Sequence, residues 1–189
     1  MAKNQVLAVG RVEALCINGN SVKKIKFLPT GPKGDVHAGF LRQINGHDTA
    51  YLSTSSLKKK HHKVLNTRTW TALSSEEVKE IEQQLNLPVP AGCMMENLII
   101  SGVPHFSQLP PTSRFVFPFR YENQAILAVW EENGPCSGIG EPFERRYGIE
   151  GLKTKFIAAA IHRRGVMGLV YAPGHVEVGD EVRVYPPAQ

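Results

Sequence analysis

The stretch RFVFPFRYENQAILAVWE, residues 114–131, contains two runs of strand-forming residues separated by a few polar ones. Aromatic and β-branched residues in such short runs are typical of β-strands. Pro118 in the first run predicts a sheet edge or a bulge, because proline has no N–H to donate to a neighbouring strand. The continuous apolar run from Ala125 to Trp130 predicts a second strand buried on both faces.

Similar runs recur along the rest of the chain and extend this pattern. The other predicted strands are residues 5–17, bent at Gly10, and residues 21–29, 96–103, 154–163, 167–172 and 181–186. In the last of these, Val182 and Val184 alternate with charged residues, as in a half-exposed strand. Many short strands separated by glycine, proline and aspartate turns predict a mainly β fold, a closed or nearly closed β-barrel with a few short helices.

One helix has a clear start signal. Ser74 is placed to cap the segment LSSEEVKEIEQQLNLP, residues 73–88, with Glu77 completing a capping box and Leu73 packing on Val78. Pro88 predicts the end of this helix. A weaker helix signal covers residues 54–65, and residues 31–48 predict a long polar connection.

Length and composition indicate a water-soluble protein of one domain, residues 1–189. No apolar run approaches the roughly 18 residues of a membrane span, and the first residues lack the layout of a secretory signal. The three cysteines are widely spaced and odd in number, which argues against a disulfide framework and for a reducing compartment. A cytoplasmic location is therefore expected.

The net charge of +5 raises the question of a polyanionic partner. Lysines concentrate in LKKKHHK, residues 57–63, which contains no aromatic residue to stack on a base. A solvated face is the simpler interpretation of this run, and nucleic acid is not an expected partner. A non-catalytic barrel that binds a polyanion or an acidic protein through its basic residues remains the alternative function.

The loop GDVHAGFLRQINGHD, residues 34–48, gathers polar residues that could serve a metal or an anion. A ligand set of Asp35, His37, His47 and Asp48 lacks the spacing of a known zinc or calcium motif. The glycines at 31, 34 and 39 could bring backbone amides to an anion, although the Walker pattern is missing. Ordinary loop-shaping roles stay open for all of these residues.

Cysteine placement gives a sharper signal. Cys16 lies in an apolar strand and is expected in the core, and Cys93 follows Gly92 in a turn that is expected to be partly buried. Cys136, in ENGPCSGIG, residues 132–140, has glycine and proline on both sides, which predicts an exposed thiol on a loop after a buried strand. Arginines at 145, 146, 163 and 164 are candidates to favour its thiolate form.

These segments, taken in order, resemble the MOSC domain family, named for the C-terminal domain of molybdenum cofactor sulfurase. The matching pieces are GDVHAG (34–39) with Arg42 after it, PAGCMMENLIISGV (90–103), LPPTSRFVF (109–117), NGPCSGIG (133–140) and the long segment 156–184. Together they cover most of the chain. The resemblance implies a barrel-like β fold, a pocket for the pterin of molybdenum cofactor (molybdopterin), and a cysteine that carries sulfur or ligates molybdenum.

Residue by residue, the resemblance assigns Cys136 as the catalytic cysteine and the metal ligand. Arg163, Arg164 and Arg42 become candidate holders of the pterin phosphate, because guanidinium groups match phosphate oxygens, and His37 and Asn97 become further pocket residues. Family members take part in sulfuration of molybdenum cofactor or, with redox partners, in reduction of N-hydroxylated compounds. The expected activity is thus a sulfur transferase or a molybdenum-dependent oxidoreductase, independent of pyridoxal phosphate.

The same resemblance implies classes of partner, and this chain departs from the family pattern in two ways. Sulfur-donor or redox proteins and a small-molecule substrate are expected, and whether a homodimer encloses one pocket stays open. Similar small bacterial proteins often carry a second cysteine a few residues after the first, but Ser137 to Gly140 contain none. Larger cofactor-binding relatives also have an N-terminal β-domain that is not matched in this chain.

Overall fold

The computed structural model describes residues 5–44 and 63–187. Its strands are β1 (Ala8–Ile17), β2 (Asn20–Val22), β3 (Lys24–Leu28), β4 (Gly31–Pro32), β5 (Leu41–Gln43), β6 (Lys63–Leu65), β7 (Trp70–Ser74), β8 (Leu98–Ser101), β9 (Arg114–Arg120), β10 (Asn123–Glu132), β11 (Val166–Ala172), β12 (Gly174–Glu177) and β13 (Glu181–Tyr185). Its α-helices are α1 (Ser75–Leu85), α2 (Ser137–Tyr147) and α3 (Leu152–Ala160).

Seven strands close into a barrel, as the sequence predicts. Around the ring the order is β1, β13, β9, β10, β11, β7 and β8, and β8 returns to β1. All neighbours in the ring are antiparallel except β7 and β8. Strands β3, β4 and β12 form a small separate sheet, and β5 and β6 form a two-stranded ribbon.

Two hydrophobic cores hold this arrangement. The barrel interior is filled by aromatic and aliphatic side chains, among them Trp70, Phe106 and Phe115, with the last two rings stacked 5.5 Å apart. The second core lies between the outer surface of β7 and β8 and the three α-helices, where Leu73 packs with Phe143 and Phe156. Each core buries apolar surface that drives folding, and the second one fixes the helices on the barrel.

The predicted strand 154–163 is wrong, because residues Leu152–Ala160 form α3. Its buried residues are Leu152, Phe156, Ala159 and Ala160, a spacing that places them on one helical face. A short apolar run without alternation does not separate a buried strand from a buried helix. Here the three consecutive alanines favour the helix, since alanine has the highest helix propensity.

Strand β10 corrects a second expectation, since it is buried on one face rather than two. Ala125, Leu127 and Val129 point into the barrel, whereas Trp130 is 46% exposed. Pro118 lies beside a register shift between β9 and β10, which confirms the predicted bulge. One face of β10 therefore packs in the barrel interior, and the other is partly exposed to solvent.

Helix α1 begins where the sequence predicts, but its cap differs in detail. The Ser74 hydroxyl oxygen accepts hydrogen bonds from the backbone N–H groups of Glu76 and Glu77. The Glu77 carboxylate does not complete the capping box; it accepts two hydrogen bonds from Ser107 instead. The left-handed Asn86 ends the helix before Pro88. Ser107 thus ties α1 to the segment that precedes β9.

Several expectations concern residues outside the described ranges. The weak helix signal at 54–65 fails at its end, because Lys63–Leu65 form β6, and the remainder lies outside the described residues. The run LKKKHHK, apart from Lys63, also lies outside the described residues, as do His47 and Asp48. Among the helices that the structure describes, none has the length and hydrophobicity to cross a membrane.

Candidate functional site

Cys136 lies at the junction between β10 and α2. It is the N-cap residue of α2 and is half-buried, not fully exposed on a loop as expected. Its sulfur faces the first turn of the helix, since a Cβ placed on Gly138 would come 3.5 Å from the Cys136 Sγ. Arg145 and Arg146 lie in the last turn of α2, about 14 Å further along the helix axis. Those two arginines are therefore not the neighbours of the thiol.

Arg164 is the arginine that the fold brings to the Cys136 segment. The residue is 7% exposed, and its Nη1 donates to the Asn133 Oδ1 and the Gly134 carbonyl, each at 2.8 Å. Its Nη2 donates to the Met94 carbonyl at 3.4 Å. The Nε–H has no acceptor among the residues that the structure describes. A buried guanidinium thus clamps the segment before Cys136 and keeps one donor unused.

The charges around Arg164 favour its cationic form against burial. Desolvation lowers the pKa of the Arg164 guanidinium, while negative charge at Cys136 and at Glu96 acts in the opposite direction. Glu96 is itself buried, which raises the pKa of its carboxyl although the N–H groups of Gly92 and Met94 donate to it. The Arg164 guanidinium is therefore electrostatically coupled to both Cys136 and Glu96.

Arg163 points the other way, although it is adjacent in sequence. Its Nε donates to Glu80 Oε2 on α1 at 2.6 Å. It lines a separate cavity of about 850 Å³ together with residues of α1, of the segment 102–108 and of the end of α3. Cys136 does not line that cavity. His162, with φ of 58°, is left-handed in the turn that follows α3.

A second polar group forms around Asp35. The Asn97 amide nitrogen donates to Asp35 Oδ2 at 2.8 Å, and the His37 N–H donates to Asp35 Oδ1 at 2.8 Å, with the His37 Nδ1 3.1 Å from the same oxygen. Asn97 is buried, and its Oδ1 accepts from the Thr71 N–H at 3.1 Å. The structure therefore brings the predicted His37 and Asn97 together through Asp35, for which the sequence left metal ligation and a loop-shaping role open.

One short segment joins the two groups. Met94 accepts from Arg164, and Asn97, three residues later, donates to Asp35. Between them, the Met95 carbonyl accepts from the Thr71 hydroxyl at 3.3 Å. The segment 94–97 precedes β8 and is bonded to β7, so the barrel wall itself sets the distance between the two groups.

Asp35 gives a direct test of the second group. Burial alone would raise the pKa of Asp35, but hydrogen bonds from His37 and Asn97 outweigh it and hold that pKa below its ordinary value. Such a carboxylate stabilises the fold fully above its unfolded pKa of about 3.9, and the contribution is lost as the pH falls through the lower folded value. Asp35→Asn should therefore cost about 1–3 kcal/mol at pH 7 and less below pH ~4.

Urea unfolding of wild type and Asp35→Asn between pH 7 and pH 3 checks this expectation. Glu150→Gln, at an exposed position, is the matched control and should be neutral across the range. An unchanged difference between wild type and Asp35→Asn at every pH would contradict the role given to the carboxylate.

The remaining predicted residues are placed as follows. Arg42 lies in the ribbon strand β5, where its Nη1 donates to the Gln43 carbonyl at 3.2 Å. Within the described ranges no group of three or more potential metal ligands occurs, and His47 and Asp48 of the candidate set lie outside those ranges. Gly31 is in the left-handed region with φ of 120°, and a Cβ there would come 2.6 Å from the Thr69 carbonyl oxygen. That glycine is thus required by close packing.

Two functional neighbours were missed from the sequence, Asn133 and Glu96. Both are buried polar residues, 6% and 2% exposed, and both act on Arg164, one by accepting its hydrogen bond and one by charge. The signal that could have found Asn133 is its position directly after a strand and before Gly134 and Pro135. Glu96 gives no such signal, because only the folded chain shows that it is buried.

Comparison with known proteins finds one matching domain family and one similar bacterial protein of similar length. The model of the MOSC domain matches residues 58–183. YuaD of Bacillus subtilis, a protein named for metal-sulfur cluster biosynthesis, is 28% identical over 164 residues, which cover 86% of this chain and 80% of YuaD. The crystal structure of YuaD superimposes with a TM-score of 0.84 at 26% identity, covering 95% of this chain and 97% of the other.

A more distant neighbour shares the fold. YiiM from Escherichia coli superimposes with a TM-score of 0.58 at 15% identity, and the match covers 95% of this chain and 71% of YiiM. The family match spans two thirds of the sequence, includes Cys136 and Arg164, and agrees with the closed barrel. The chain belongs to the MOSC domain family.

Proposed function

We propose that this protein handles sulfur for molybdenum cofactor, with Cys136 as the carrier of a persulfide sulfur or as the ligand of the metal. One observation carries the proposal: Cys136 lies at the start of a helix, directly after a segment that the buried Arg164 holds through Asn133 and Gly134. MOSC domains are associated with molybdenum cofactor enzymes, and YuaD is named for metal-sulfur cluster biosynthesis. Both associations are with sulfur or metal chemistry.

The residues of the site fit the cofactor in donor type. A thiolate is a soft ligand suited to molybdenum and to sulfane sulfur. Arg164 would hold an anionic oxygen, since its Nε–H is buried without an acceptor among the described residues. His37 and Asn97 would offer polar contacts from the second group, to which the segment 94–97 connects. Bound molybdenum cofactor would supply the redox and sulfur-accepting chemistry.

The start of α2 and Arg164 place positive charge near the Cys136 segment. The N-terminus of α2 presents backbone N–H groups and the positive end of the helix dipole to the sulfur. Arg164 adds a full positive charge held in place by three acceptors. A persulfide is an anion, and positive charge near Cys136 would suit the loaded form of the residue.

A sulfur-carrying role is favoured over reduction of N-hydroxylated compounds. A carrier needs an accessible nucleophile, and Cys136 is half-exposed at the start of α2. A reductase also needs a redox partner and a substrate pocket beside its reactive group, yet Cys136 does not line the cavity of about 850 Å³ between α1, the segment 102–108 and the end of α3. Sulfur-donor proteins are accordingly the partners that we propose.

The proposal is tested by what the purified protein carries. Wild type, Cys136→Ala and Cys93→Ala are expressed in cells that make molybdenum cofactor and purified without reductant. We expect a mass increase of about 32 Da, one sulfur atom, or bound molybdenum and pterin, in wild type and Cys93→Ala. Cys136→Ala should carry neither. Equal contents in wild type and Cys136→Ala would reject the proposal.

A further inference from the structure

The connection from β10 to Cys136 is short and restricted at its far end. It consists of three residues, Asn133, Gly134 and Pro135. The ring of Pro135 fixes its own φ at about −65°. The Cys136 carbonyl accepts hydrogen bonds from two N–H groups of α2, at 3.1 and 3.2 Å. The freedom of the connection therefore lies at Asn133 and Gly134, where the chain leaves the sheet.

Arg164 and its neighbour remove that freedom. The Asn133 N–H donates to the Gly165 carbonyl at 2.9 Å, and the Asn133 Oδ1 accepts from the Arg164 Nη1 at 2.8 Å. The same Nη1 donates to the Gly134 carbonyl at 2.8 Å. The Nη2 donates to the Met94 carbonyl at 3.4 Å, which ties the guanidinium to the segment before β8. One side chain thus holds both residues of the connection and anchors them to the barrel.

These contacts depend on the shape of the arginine side chain as well as on its charge. A guanidinium places its donors in a rigid planar fork, whereas a lysine ammonium is a point charge on a flexible stem. Asn133 and Arg164 are both more than nine-tenths buried, so bulk water does not replace a lost partner. Shape and charge can be separated by experiment, because Arg164→Lys keeps the charge and removes the fork.

We propose that Arg164 is a positioning residue, which fixes the place of the Cys136 sulfur through Asn133 and Gly134. The inference rests on the proposed function of Cys136 and adds how that residue is held for it. The Cys136 side chain makes no capping hydrogen bond to α2, so the backbone before it sets where the sulfur lies. A metal ligand or a sulfur carrier needs such a support, because its reactions require a defined direction of approach.

A nitroxide attached to Cys136 measures this positioning directly by electron paramagnetic resonance. Arg164→Lys and Asn133→Ala should each shorten the rotational correlation time of the label about threefold, because the connection gains nanosecond motion. Arg163→Lys, at the adjacent arginine that pairs with a glutamate of α1, is the matched control and should leave the spectrum unchanged. Equal label mobility in wild type, Arg164→Lys and Asn133→Ala would overturn the inference. So would equal release of the label by Arg163→Lys.

The labelled proteins all carry Cys93→Ala, and the remaining Cys16 is buried. Slow alkylation of native Cys16 by iodoacetamide shows that a variant is folded. Where neither Arg164→Lys nor Asn133→Ala folds, the parent protein decides. Its spectrum should be that of an immobilised label, and a spectrum as narrow as the one in concentrated urea would overturn the inference.

The content of sulfur and molybdenum separates positioning from a merely structural role. After expression in cells that make molybdenum cofactor, Arg164→Lys should carry about tenfold less persulfide or molybdenum than wild type, a usual loss when a residue that orients a metal ligand is replaced. Iodoacetamide should still modify Cys136 within about threefold of the wild-type rate, since a small neutral reagent needs only an accessible thiolate. A folded Arg164→Lys variant with the wild-type content would contradict the positioning role.

The two measurements also distinguish this inference from the proposed function. A wild type that carries neither sulfur nor molybdenum rejects the proposed function, and the nitroxide comparison still decides whether Arg164 fixes Cys136. A loaded wild type whose label is equally mobile in every variant keeps the function of Cys136 and rejects the role of Arg164. A loaded wild type whose label is released by Arg164→Lys, and not by Arg163→Lys, supports both.

Discussion

Iodoacetamide at pH 8 should alkylate Cys136 first and leave Cys16 and Cys93 almost unmodified over the same time. Burial and the charge of Glu96 raise the pKa of Cys16 to about 11 and the pKa of Cys93 to about 12. At pH 8 about one Cys16 in 1,000 and one Cys93 in 10,000 is then a thiolate, against roughly a quarter for an ordinary cysteine. Since the thiolate is the reacting form, both should react at least about 100-fold more slowly than a free thiol.

Peptide mass spectrometry after timed quenching measures the three rates separately. The control is the same reaction in concentrated urea, where all three thiols should be alkylated at similar rates because burial is removed. Cys93 is the critical comparison, since it is only half-buried and reagent can reach it. Alkylation of native Cys93 as fast as Cys136 would contradict the expectation that Cys136 is the most reactive of the three thiols.

The sequence predicts the barrel because two local patterns mark its strands. One is the alternation of polar and apolar residues, as in β13, and the other is glycine or proline at strand ends. Both patterns depend on neighbouring residues only, so they can be recognised without the tertiary structure. Helices α2 and α3 were not predicted, for opposite reasons. Gly138, Gly140 and Pro142 weaken the helical pattern of α2, whereas the apolar run of α3 fits a strand as well as a helix. Tertiary packing on the barrel decides both cases.

The sequence identified single residues of the candidate site but not how they are arranged around one another. Glycine and proline around Cys136 indicated an accessible thiol, and the structure places it at the start of a helix. Which arginine accompanies it is decided by tertiary contacts, because Arg163 pairs with Glu80 whereas Arg164 bonds to Asn133 and Gly134, and nothing in the sequence distinguishes the two. The roles proposed for Cys136, Arg164, His37 and Asn97 stay predictions until the cofactor and sulfur experiments are done.

Gly168→Ala should destabilise the protein more than a surface substitution does, lowering the free energy of unfolding by about 3 kcal/mol or more. Gly168 lies in β11 at a point where β10 and the indole of Trp70 both approach. A Cβ there would come 1.9 Å from the Ala128 carbonyl oxygen and 2.7 Å from Trp70 Cζ2. The carbonyl belongs to the backbone of β10, so it cannot move without breaking the β10–β11 pairing that closes the barrel.

Urea unfolding followed by circular dichroism measures this loss, and Gly134→Ala is the matched control. Gly134 is exposed, its backbone is not left-handed, and an added Cβ would meet nothing within 4 Å, so its substitution should change stability by less than about 0.5 kcal/mol. Trp70→Phe combined with Gly168→Ala should recover little, because the clash with the Ala128 carbonyl remains. A Gly168→Ala variant as stable as wild type would mean that β10 and β11 are further apart than the closed barrel requires.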